Sequence, residues 1–69
     1  MNFDVYGKFE TLEEGIDKLK QAVSARNQMG GAMYFNMLND DCCEIGNKLL
    51  SMGANKKEIG EIIGEENYR

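Results

Sequence analysis

Histidine is missing from this chain, and cysteine occurs only as the adjacent pair Cys42 and Cys43. Without histidine the usual general base and the commonest imidazole metal ligand are both gone. Neighbouring side chains on a helix point about 100° apart, so the two thiols bridge each other only by unwinding that turn. Nor do they make a structural zinc set, which needs further ligands at spacings such as C-x₂₋₄-C. A thiolate among Asp40, Asp41 and Glu44 is disfavoured, so Cys42 reads as a small core residue. The sequence therefore offers no catalytic residue, no metal ligand set and no cofactor site.

Long apolar runs are also lacking, since nothing approaches the roughly 20 residues needed to cross a bilayer. The opening Met-Asn-Phe-Asp-Val-Tyr has no basic stretch followed by an apolar one, and free thiols fit a reducing compartment, so the expectation is a soluble, cytoplasmic chain. Cations are scarce as well: 8 basic against 12 acidic side chains give a net charge of −4. That balance opposes attraction to nucleic-acid phosphates and anionic membranes, and it favours a protein partner that is basic or uncharged at the contact. Gly30-Gly31 lacks the Lys-Ser/Thr that a phosphate cradle needs. No repeat or low-complexity linker is present.

At 69 residues the chain is one domain, and folded proteins of this size bury only about 60 % of the surface of their unfolded chains. Disulfide and metal staples being absent, oligomerisation is the expected source of extra stability, most simply as a homodimer.

What the sequence does contain is helical rhythm. Phe35, Leu38, Cys42, Ile45, Leu49 and Met52 fall at alternating steps of three and four, which predicts one helix over 32–52 with a narrow buried seam. A helix of that length spans about 31 Å. Upstream, Thr11-Leu-Glu-Glu14 is a capping box, with the Thr11 hydroxyl accepting from the Glu14 amide and the Glu14 carboxylate reaching back to the Thr11 amide. It opens a helix over 11–29 whose predicted stripe is Leu12, Ile16, Leu19 and Val23. The two stripes are out of phase across Gly30-Gly31, as in two antiparallel helices joined by a turn. Gly15, costly inside a helix, is explained either by close helix approach or by tolerance.

Gly53 stops the second helix, and Asn55 caps a short third one over 56–63, with Ile59, Ile62 and Ile63 as its apolar face. Residues 1–10 read as an aromatic arm carrying Phe3 and Phe9, and Glu65 to Arg69 as a polar, frayed tail. The predicted fold is all-α: an antiparallel helical hairpin, a short third helix and an N-terminal aromatic arm, expected to dimerise.

The segment Gly53-Ala-Asn-Lys-Lys-Glu-Ile-Gly-Glu-Ile-Ile-Gly64 resembles the opening half of a helix-turn-helix unit. The resemblance implies DNA reading by a following helix, but only Glu65 to Arg69 follow, acidic and too few to fill a major groove. It supports a second reading, a transcription-associated DNA-binding or co-regulator protein.

The leading functional reading comes from surplus apolar surface. Met29, Met33 and Met37 recur every four residues, and Ala32 to Leu38 is apolar apart from Asn36, more than one hairpin partner can cover. Met29, Met33, Tyr34 and Met37 are therefore the candidate partner or dimer interface, methionine being suited to adaptable binding surfaces. Asp40, Asp41, Glu44, Glu58, Glu61, Glu65 and Glu66 form a candidate acidic contact surface able to face a cationic groove. Together these features predict a small protein-binding regulator or inhibitor. Its most concrete form is a phage-like or mobile-element antagonist of a host nucleic-acid-binding enzyme.

Overall fold

The computed structural model describes residues 8–28 and 31–68. Among them the regular structure is entirely helical, in the order α1 (Leu12–Gln28), α2 (Ala32–Ser51) and α3 (Lys56–Ile63). Phe3, Met29, Gly30 and Arg69 lie outside the described residues, and with them most of the expected arm.

Each helix begins and ends where local chemistry requires it. The Thr11 hydroxyl accepts from the Glu14 amide at 3.2 Å, satisfying one of the free amides of the first turn of α1. The reciprocal half of the capping box differs from expectation: the Glu14 carboxylate meets the Thr11 hydroxyl, at 3.5 Å, and not its amide. At the end of α2, Gly53 takes φ +103°, a conformation that costs any residue with a Cβ. Gly53 N donates to the Leu50 carbonyl and Ala54 N to that of Leu49, each at 3.0 Å; this paired closure is a Schellman motif. Asn55 then caps α3, its side-chain oxygen accepting from the amides of Lys57 at 2.8 Å and Glu58 at 3.3 Å.

The expected seam of α2 is the core. Leu38, Cys42, Ile45 and Leu49 are buried, and Phe35 and Met52 at its ends are half-buried. α1 runs antiparallel to it, since Gly15 lies against Leu49 while Arg26 bonds Asn39. The face that α1 turns inward, however, is Gly15, Leu19, Ala22 and Arg26, not the stripe centred on Leu12, Ile16, Leu19 and Val23. Leu12 is exposed, and Ile16 and Val23 sit at the margin. At 100° per residue the helix is rotated by about 60° from the apolar stripe. Small residues explain the rotation: bare backbone at Gly15 and a single methyl at Ala22 let α1 come close, and Phe9 and Leu49 fill the hollow over Gly15. Of the two explanations open for Gly15, close approach is the one the packing requires.

α3 lays Ile59 and Ile63 against a second bare position, Gly46 of α2, where a Cβ would stand 2.7 Å from Ile59 Cγ2 and 3.0 Å from Ile63 Cδ1. The stretch expected to fray turns back instead. Asn67 and Tyr68 amides close on the Gly64 carbonyl at 2.9 and 3.0 Å, and the Tyr68 ring lies along Gly46 and Gly60. Its hydroxyl donates to Asn47 Oδ1 at 2.8 Å. The ring thus covers the meeting of α2 and α3, while the tight approach at Gly46 is the one made by Ile59 and Ile63.

The two helical glycines facing Tyr68 are predicted to respond oppositely to alanine. Gly60 has only an ordinary 3.9 Å contact waiting for a Cβ, so Gly60→Ala gains helix propensity and raises stability by about 0.5–1 kcal/mol. Gly46→Ala gains the same propensity but overpacks the Ile59 contact, for a net loss of about 1 kcal/mol. Urea unfolding midpoints of both variants against the parent chain check the pair of signs.

Candidate functional site

Because α2 spends one side on the hairpin core, what its other side carries is open to solvent. Helical spacing places Met33, Met37, Asp40, Asp41 and Glu44 on that outward side, within an arc of about 100°. Met33 is 81 % exposed, Tyr34 at the edge of the arc 52 % and Met37 46 %. Asp40 and Glu44 are exposed and Asp41 is half-buried. The other acids of the candidate contact surface, Glu58, Glu61, Glu65 and Glu66, are exposed on α3 and the turn after it, where Lys56 and Lys57 dilute them. Met29 lies outside the described residues.

Partial burial and like charges at short spacing together leave an electrostatic mark on the face. The Asp41 carboxyl is raised above the usual carboxylate value, first by partial burial and then by the charges of Glu44 and Asp40. The folded chain therefore holds a proton at Asp41 more tightly than the unfolded chain does, and ionising it at neutral pH costs stability.

Inside the bundle is a second polar cluster, which the residue pattern did not reveal. Arg26 is only 4 % exposed. Its Nη1 donates to Asn39 Oδ1 and to the Ile63 carbonyl, each at 2.8 Å, its Nε donates to Asn27 Oδ1 at 3.0 Å, and its guanidinium lies 4.9 Å from the centre of the Phe35 ring. Asn39, fully buried, passes the chain of bonds on through Nδ2 to the Asn67 carbonyl at 2.9 Å. The Cys43 thiol, which is not part of the α2 seam, is buried with them and donates to the same carbonyl at 3.5 Å. Among the described residues no buried side-chain nitrogen or oxygen is left without a partner. The signal that could have found the cluster was phase: Arg26 continues the Gly15, Leu19, Ala22 face by one more turn.

Chemically, the buried cluster binds elements together and offers little reactivity. Burial pushes the Cys42 thiol up to about 11, against the opposing pull of Arg26 and with further upward help from Cys43 and Asp41, so at neutral pH it stays protonated. Among the described residues no three His, Cys, Asp or Glu side chains are arranged to hold a metal ion, and no helix is long and apolar enough to cross a membrane. An open groove on α1 is lined by Thr11, Glu13, Glu14, Ile16, Asp17 and Lys20. α2, the Gly53 turn and α3 do form a bihelical unit, but beyond α3 the described residues make a turn and not another helix. Comparison of the chain with protein-family models, with curated proteins and with solved structures found no match.

The raised Asp41 carboxyl yields a pH signature. Asp41→Asn removes the cost of ionisation, so it raises the thermal midpoint at pH 7. That advantage shrinks as pH falls through the carboxylate range and Asp41 takes up its proton. Thermal melts of both chains from neutral to acid pH measure the difference, whose sign depends on Asp41 being the strained acid.

Proposed function

We propose that the chain is a protein-binding module that regulates or inhibits by occupying another protein's surface. The observation that carries this reading is the exposure of Met33, Tyr34 and Met37 together on α2. The hairpin already has a continuous core of Leu19, Cys42, Ile45, Leu49, Ile59 and Ile63, so these three are not needed to complete it. Exposed thioether and phenol side chains on a rigid helix suit partner recognition, being large in area and adaptable in shape. The negative balance of the chain, −4, directs it toward proteins and away from phosphate backbones.

A second copy of the chain is the rival occupant of the same face, and size alone makes a homodimer attractive. Met33→Ser with Met37→Ser separates the roles of the face and the fold. Both positions are exposed, so the double variant is expected to unfold within about 0.5 kcal/mol of the parent. It is also expected to lose the partner that the parent chain captures stoichiometrically from its native cell extract. Capture that survives the double substitution would remove the face from the mechanism, and sedimentation of the parent chain at twice 7.8 kDa would assign the face to a second copy.

A further inference from the structure

The outward face of α2 is graded along its length. Met33 and Met37 lie toward the N-terminal end, and Asp40, Asp41 and Glu44 lie toward the middle, the whole strip covering about 17 Å of helix axis. No Lys or Arg occurs in the sequence between Arg26 and Lys48. Arg26 is committed to the interior, and Lys48 stands with its ammonium 4.2 Å from the Phe9 ring centre, beyond the acidic end. The strip thus holds apolar area and negative charge in sequence, and α2 carries no Lys or Arg between them.

We propose, resting on the protein-binding reading above, that this strip receives a segment of another protein whose contacting face is apolar at one end and basic at the other. The apolar end seats on Met33 and Met37, and the basic end meets Asp40, Asp41 and Glu44. Charge complementarity selects this occupant over a second copy. Two copies paired parallel over the strip set acids against acids, and paired antiparallel they set acids against methionines; neither arrangement supplies a counter-charge. A neutral apolar partner would cover the methionines but desolvate the neighbouring carboxylates without compensation.

The order of the two ends is what makes the proposal specific, and a peptide titration reads it. The probes are a synthetic helical peptide with leucines at one end of a face and arginines at the other, a version with glutamine for arginine, and a version of the same composition with the two types mixed along the face. Amide chemical shifts of the full chain report where each binds. The ordered basic peptide is expected to perturb residues 33–44 and to bind about tenfold more tightly than the glutamine version. The chain carrying Asp40→Asn, Asp41→Asn and Glu44→Gln, with unchanged far-ultraviolet dichroism, is expected to lose that advantage. Equal binding of arginine and glutamine peptides at Met33 and Met37 would overturn the basic partner while leaving the protein-binding reading intact. Equal binding of the ordered and mixed peptides, shifts outside residues 33–44, or no binding by any peptide would overturn the graded strip. Concentration-dependent shifts of residues 33–44 without peptide would give the face to a second copy.

Discussion

A buried guanidinium sets the terms for the rest of this structure. Taking a cation out of water costs several kcal/mol unless its donors are matched, and Arg26 finds its matches in different parts of the chain: Asn39 in α2, the last carbonyl of α3 and the face of Phe35. Each contact fixes a register. The bond to Asn39 sets how far α1 slides along α2, and the bond to Ile63 sets where α3 stops. Asn39 in turn orients the turn after α3 by holding the Asn67 carbonyl. In a chain with little area to bury, apolar contacts alone leave several nearly equal arrangements of short helices. A hydrogen-bonded cation tolerates few of them, because a misplaced helix strands a buried charge.

This internal commitment explains the division of labour on α2. Its inner side is consumed by the seam, by Asn39 and by the bare surface at Gly46 that admits Ile59 and Tyr68. Nothing in that packing calls on Met33, Met37 or the acids beyond them. A helix held from one side is a stiff platform on the other, so a partner meeting the outward strip meets side chains whose backbone is already ordered. That rigidity, with the gradient from apolar to acidic, is the physical basis for the proposed recognition.

Much of this architecture is legible in the residue order, and the exceptions have identifiable causes. The α2 seam, the Gly53 stop and the Asn55 cap of α3 follow from local rules that tertiary packing did not need to override. α1 is less legible, because periodicity weights large apolar side chains and treats glycine and alanine as neutral. Close approach reverses that weighting: Gly15 and Ala22 mark the contact, and Leu12 is left outside. Arg26 and Asn39 are hidden because a polar residue at a core phase looks like an interruption until its partner is known, and the two acceptors that tie Arg26 to the other helices are 13 and 37 residues away in sequence. The tail departs from expectation for a related reason. Its composition is polar, but Tyr68 is held by two glycines and an asparagine far upstream, which no local pattern shows. The candidate interface residues are visible as surplus apolar surface, whereas the split of the acids between α2 and α3 requires the fold.

Arg26 and Asn39 act as one unit that orders the bundle, and a double-mutant cycle measures that unity. The chains to compare are the parent, Arg26→Met, Asn39→Leu and the double variant, each unfolded in urea. Each single substitution strands the other partner in the interior, so the double variant is expected to lose less than the sum of the singles, with a coupling of about 1–3 kcal/mol. Additive losses, with a coupling under about 0.5 kcal/mol, would mean that the two side chains stabilise the fold independently and that no such unit exists.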